Sequence, residues 1–204
     1  MKRKIIPLLL LILGIVLIVS GVALKINSKN KELKAIEKFN NEINLSEIKE
    51  ENNKKVDKDK SKNFKTYVKK GNLGDEIALI EIPSIDLKSV IVEGVENEQL
   101  KYYIGHMPDT AMAGENGNFV LAGHSSFVYN EIFNKLYKVN NGDIIKITTR
   151  NKEFNYIIKD KFIVEPKEVS VLNQKDEEKE ITIVTCSSRG EKRLIVKGKI
   201  EENL

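Results

Sequence analysis

Residues 5–24 form twenty consecutive positions without a charge, and three basic residues, Lys2, Arg3 and Lys4, stand before them. A helix of that length rises 1.5 Å per residue and so crosses a hydrocarbon core of about 30 Å. Gly21-Val22-Ala23 offers the small-x-small site of a cleaved signal peptide. The apolar run is long for the core of such a peptide, which favours a retained membrane anchor. Lys25, Lys29 and Lys31 also follow the span. The concentrated positive charge ahead of it assigns that end to the cytoplasm and the remainder to the outer side.

After the anchor, residues 26–74 contain little from which to build a core. Leu33, Ile36, Phe39 and Ile43 have a weak helical spacing, and residues 50–62 are almost wholly polar. The expectation is a stalk, helical near the membrane and then flexible, whose charges form a solvated face.

The composition changes at Asp75. Residues 77–82 and 87–92 read as two strands about a Pro83-Ser-Ile-Asp turn, and 96–103 as a short helix. Residues 105–117 hold three glycines and a proline and are expected to be loop. A strand runs through 118–123 to His124, and 129–136 form one or two helical turns. Strands follow at 144–149 and 153–164, then a polar connection over 166–180, then strands at 181–185 and 193–200. About eight short strands with few helices argue for an all-β barrel over 75–204, preceded by the anchor (1–25) and the stalk.

The chain has one cysteine, Cys186. It follows the β-branched apolar run Ile181-Thr-Ile-Val-Thr185, where a buried strand surfaces, and Arg193 begins the returning strand. A thiol beside a guanidinium is placed to have its reactive thiolate form stabilised; the alternative is an inert core cysteine. With no second cysteine for an intrachain disulfide, an extracellular Cys186 is either buried or chemical. A thiol nucleophile needs a proton partner, and the chain has two histidines. His124 ends a strand, as Cys186 does, and suits a pair meeting at one rim of a barrel; His106 lies in the glycine-rich loop. One cysteine and two histidines without ligand spacing do not make a zinc site, and no phosphate-binding glycine motif is present, so no cofactor is implied. The net charge of +4 and the absence of a basic, aromatic-rich stripe speak against nucleic acid.

Leu121-Ala-Gly-His124, Ile183-Val-Thr-Cys186 and Lys192-Arg193-Leu-Ile-Val196 together resemble the His, Thr-Cys and Arg motifs of sortases. Gly105-His-Met-Pro-Asp109 and the residues through Asn118 are similar to the loop before the catalytic histidine of that family, and Phe133-Asn-Lys-Leu136 with Asn141-Gly-Asp143 also fits. The resemblance covers about residues 75–200. It implies an eight-stranded barrel and a membrane-anchored cysteine transpeptidase of a Gram-positive cell surface. By similarity, Cys186 attacks the Thr–Gly bond of a Leu-Pro-x-Thr-Gly-like sorting signal, and His124 exchanges protons with the departing and arriving amines. Arg193 holds substrate and oxyanion, and a peptidoglycan-precursor amine resolves the thioacyl intermediate. Thr185 matches the residue before the family's cysteine and is expected to shape the substrate-binding site. Arg189, three residues after the thiol, is the rival for the arginine role.

The subclass is expected to be class D-like, with class A next. The 166–180 connection lacks a long helical insertion, no Asp-Pro-aromatic lid precedes the barrel, and only six residues separate Cys186 from Arg193. Asp109 stands where similar sequences usually carry glycine. Acids of some relatives bind calcium, and Asp176-Glu-Glu178 and Glu115 offer such carboxylates here, but a solvated face is the better reading. The alternatives are a pilin polymerase, a hydrolase, a non-catalytic surface module that kept the barrel, and an L,D-transpeptidase. The last is opposed because Cys186 lacks that family's Ser-x-Gly-Cys-x-Arg surroundings.

Overall fold

The computed structural model describes residues 2–53, 71–125, 132–175, 177–187 and 190–201, with the side chains of the first helix described from 10 to 43. Helix α1 (Lys2–Asn53) is continuous. Eight strands follow: β1 (Glu76–Ile82), β2 (Leu87–Glu93), β3 (Ile104–His106), β4 (Gly117–Gly123), β5 (Ile144–Thr148), β6 (Glu153–Val164), β7 (Lys179–Ser187) and β8 (Lys192–Lys199). One short helix, α2 (Asn97–Leu100), joins β2 to β3. The strands close into a barrel in the order β1-β2-β3-β4-β7-β8-β6-β5. The β2–β3 and β4–β7 pairs are parallel and the others antiparallel. Closure leaves no unpaired sheet edge.

The strands alternate in and out of the barrel as the two-residue strand period requires. Phe119 and Leu121 of β4, Ile181 and Ile183 of β7, and Leu194 and Val196 of β8 all belong to the interior cluster. Their neighbours Val120, Ala122, Val184, Cys186, Arg193 and Ile195 therefore stand on the outer face.

In β1 and β2 the outer positions are apolar as well. Leu79, Val90 and Val92 face outward and form a second cluster with Ala35 and Phe39 of α1. Phe39 is fully buried there. This corrects the expectation of a solvated stalk, at least through residue 43. Besides Phe39, Glu32 accepts a hydrogen bond from Ser89 (2.7 Å), and Glu42 pairs with Arg150 (2.8 Å). Residues 54–70, expected to be flexible, lie outside the described residues.

The glycine-rich stretch also differs from expectation, because its first residues are strand β3. His106 pairs with Leu121 of β4 and is fully buried. Its Nδ1 lies 2.7 Å from the buried Glu93 carboxylate, and its Nε2 lies 2.9 Å from the Thr110 hydroxyl. The rest of the stretch is loop, pinned by Tyr156, whose buried hydroxyl accepts from the Gly114 N–H at 2.7 Å. Burial pushes the Tyr156 phenol up to about 12. Of the turns expected over 129–136, residues 129–131 lie outside the description. Residues 132–135 are turn and Leu136–Lys138 is a 3-10 helix.

Candidate active site

Two registers bring the three candidate residues to one rim. In the parallel β4–β7 pair, Gly123 is level with Thr185. The next residue on each strand is therefore His124 on one side and Cys186 on the other. In the antiparallel β7–β8 pair, Cys186 lies directly opposite Arg193. Directly opposed residues of such a pair project from the same face, which here is the outer face. Each of the three is partly exposed.

Hydrogen bonds hold this arrangement from beneath. Thr185 alternates to the inner face, is buried, and donates its hydroxyl to the Gly123 carbonyl at 2.7 Å. Ser125 donates its hydroxyl to the Cys186 carbonyl, also at 2.7 Å. The two strand ends that carry His124 and Cys186 are thus tied twice, once below and once at the level of the thiol. The Phe133 N–H donates to the His124 carbonyl at 3.0 Å, turning the chain back over the strand end. Its ring lies where a side chain on Gly123 would go: a Cβ there would sit 2.7 Å from Phe133 Cδ2 and Cε2. Only glycine permits that contact.

Partial burial lowers the pKa of His124 below the ordinary imidazole value, because the cation loses hydration. The neutral ring, which can accept a proton, is thereby favoured. Arg193 Nη1 donates to the Gly190 and Lys192 carbonyls at 2.9 and 3.1 Å, so its own hairpin turn fixes one corner of the donor fork. Arg189 and Ser188 lie outside the described residues, as do Ser126 and Asp176.

The connection from β6 to β7 crosses the outer face below the site. Asn118 Nδ2 donates to the Val171 and Asn173 carbonyls (3.1 and 3.3 Å), and Gln174 Nε2 donates to the Asn118 carbonyl (3.1 Å). Glu178, considered as a calcium ligand, pairs with Lys199 at 2.8 Å and Lys175 at 3.1 Å. Lys199 foremost, with Lys175, lowers its carboxyl to about 2. No group of three or more His, Cys, Asp or Glu that could hold a metal occurs among the described residues.

The structure brings the three residues that the sequence singles out to one rim; the sequence assigns Ser125 no role, and marks Phe133 only within the Phe133-Asn-Lys-Leu136 match. A serine after a strand-terminal histidine carries no signal of its own.

The described residues thus form a closed barrel with a cysteine, a histidine and an arginine at one rim. Residues 80–201 match the model of the Sortase domain, and the chain belongs to the sortase family. It is 27% identical over 202 residues to Sortase D of Bacillus subtilis (strain 168), covering 97% of this chain and 98% of that protein. A solved structure of a Clostridium perfringens Sortase D5 transpeptidase is 40% identical, with a TM-score of 0.69. That alignment covers 84% of this chain and 98% of the solved one. Sortase A from Corynebacterium diphtheriae (a lid mutant) is 26% identical with a TM-score of 0.61, over 65% of this chain and 74% of that one. The protein is a sortase transpeptidase, class D-like, with an N-terminal apolar helix that fits a membrane anchor.

Proposed function

We propose that the protein cleaves a Leu-Pro-x-Thr-Gly-like sorting signal between Thr and Gly and transfers the threonyl end to a cell-wall amine. The observation that carries this reading is the register placing Cys186 opposite Arg193 and beside the strand end that leads to His124. Cys186 sulfur attacks the threonine carbonyl carbon while its proton passes to His124. The guanidinium of Arg193 stabilises the oxyanion, a task suited to a fixed charge with several donors. The C–N bond then breaks, and the imidazolium returns the proton to the departing glycine amine. An amine of a peptidoglycan precursor next attacks the thioester carbonyl and gives up a proton to His124. Cys186 leaves as the thiolate and recovers that proton. Thr185 acts from beneath, by holding the strand ends together. The basic residues Lys2, Arg3 and Lys4 support an orientation with the barrel on the outer side of the membrane.

The test is incubation of the protein with a library of Leu-Pro-x-Thr-Gly-like peptides and amine acceptors, read by mass spectrometry. The expected result is a thioacyl adduct on Cys186 that the amine converts to a new amide. An adduct resolved only by water would make the protein a hydrolase. No adduct from a folded protein whose thiol reacts with a small alkylating reagent would remove this substrate class.

A further inference from the structure

The apolar run of α1 ends at Leu24, and Lys25 is the first charge after it. At that level the helix and the barrel enclose a cleft of about 700 Å³. Gly21 and Leu24, at the end of the apolar run, line it together with Ile85, Leu87 and Ile132 of the barrel. Lys25 and Lys29 of α1 meet Lys88 of β2, Lys101 after α2, and Lys135 of the segment following His124. Five lysines from four separate parts of the chain thus converge on one concave site, against two carboxylates, Glu32 and Asp86. Glu32 is engaged by the Ser89 hydroxyl, and Lys88 is paired with Glu81 at 2.8 Å. Tyr102 also lines the cleft, with the ammonium groups of Lys31 and Lys101 at 4.2 and 5.3 Å from its ring centre. Lys101 foremost, then Lys31, holds the Tyr102 phenol below its usual range, a local sign of positive potential.

The barrel is also oriented on the helix. The β1–β2 turn and the residues after α2, which line the cleft, stand at the rim that carries His124 and Cys186. The β5–β6 hairpin marks the far rim, and its Arg150 reaches Glu42, much further along α1. The catalytic rim is therefore the one nearest the end of the apolar run. A cleft lined by both apolar and basic side chains, at the level where an anchor meets water, suits the phosphate and glycerol region of a phospholipid.

We propose that this cleft binds the headgroup phosphate of an anionic phospholipid in the leaflet from which α1 emerges, holding the rim with Cys186 against the membrane. The proposal rests on α1 being a membrane anchor and is independent of which peptide Cys186 attacks. Phe133, bonded to the His124 backbone, directly precedes Asn134 and Lys135 in the cleft wall, so the lipid site and the thiol site share a short loop.

The chain has no tryptophan, so a single introduced indole is a clean probe. The full chain carrying Tyr102→Trp is placed in nanodiscs of phosphatidylcholine alone or mixed with phosphatidylglycerol, with one lipid at a time brominated on its acyl chains. Brominated phosphatidylglycerol is expected to quench the indole about threefold more than brominated phosphatidylcholine at equal content. Asn151→Trp, on the exposed far-rim hairpin, should show no difference. Adding Lys29→Gln, Lys101→Gln and Lys135→Gln to Tyr102→Trp should abolish the preference. Equal quenching by the two lipids would overturn the proposal. So would a preference for brominated phosphatidylglycerol that survives the three lysine substitutions, which would place the lipid contact outside the cleft. A chain that enters neither nanodisc would overturn the anchor reading, and this inference with it.

Discussion

The Thr185 hydroxyl donates to the Gly123 carbonyl at 2.7 Å, joining the strand that presents Cys186 to the strand that presents His124. Both groups are buried, so removing the donor leaves a carbonyl without its partner, at a cost of about 1–3 kcal/mol. Thr185→Val keeps the shape and removes only the hydroxyl. It should lower stability by that amount and reduce peptide turnover about 10- to 100-fold, through displacement of the two side chains. Thr185→Ser should restore most of both. Parallel thermal melts and turnover assays check this, and unchanged turnover in Thr185→Val would show that the tie does not position the pair.

Arg193 is the subject of the second prediction. Its Nη1 is fixed by the Gly190 and Lys192 carbonyls, leaving the rest of the planar fork to meet a substrate. Lysine keeps the charge but cannot hold its own turn and an oxyanion in the same geometry. Arg193→Lys should lower kcat about 100-fold, with unchanged melting. Turnover within a few-fold of wild type would exclude Arg193 from the mechanism.

The third concerns pH. Partial burial lowers the folded pKa of His124 below its unfolded value. Between the two values the unfolded chain binds more protons than the folded one, so stability rises with pH across that window. The contribution is fully present above the unfolded value of about 6.5 and is lost as pH falls through the folded value. The imidazole should therefore titrate below about 6.5, and the acid limb of kcat/KM should follow it. NMR titration of the His124 ring against a His124→Gln control reads the value directly. A pKa above the ordinary one would mean that a negative neighbour, and not desolvation, governs the ring.

Asp109 adopts φ = 66°. That left-handed conformation costs ordinary residues about 1–2 kcal/mol, whereas Asp tolerates it through its short polar side chain. Asp109→Gly should leave stability within about 0.5 kcal/mol of wild type, since relief of the conformation is offset by backbone entropy. Asp109→Val should lose about 1–2 kcal/mol. Thermal melting of the two variants separates a backbone requirement from a side-chain role.

Most of the barrel was legible because its strands are written in β-branched residues with period two, and because turn residues separate them. The rim was legible for a related reason: a strand end is visible in sequence, and two strand ends carrying His124 and Cys186 suggest one rim. Ring order was not, since nothing local states that β4 pairs with β7 across more than fifty residues. His106 was misplaced because Gly105 reads as loop, while the partner that buries the histidine, Glu93, is on a different strand. The docking of α1 was written in β1 and β2, where Leu79, Val90 and Val92 are apolar on the side a half-exposed strand would make polar. On α1 itself the matching residues, Ala35 and Phe39, are diluted by lysine and glutamate.

That docking gives the last prediction. Phe39 is fully buried against Leu79, Val90 and Val92, and the Arg150 guanidinium lies 4.8 Å from its ring centre. Truncating a buried phenylalanine costs about 3–5 kcal/mol. The barrel core is a separate cluster, so the loss should fall on the helix contact and not on the barrel. Phe39→Ala in the full chain should therefore expose residues 35–43 to limited proteolysis at least about 100-fold faster, the factor equivalent to about 3 kcal/mol of local opening. The melting temperature of the barrel should stay within a few degrees. Glu42→Ala removes only a surface ion pair, worth about 0.2–1 kcal/mol, and should change cleavage little. If Phe39→Ala instead lowers barrel melting as much as it raises cleavage, helix and barrel unfold as one unit, and α1 is part of the fold and not a docked segment.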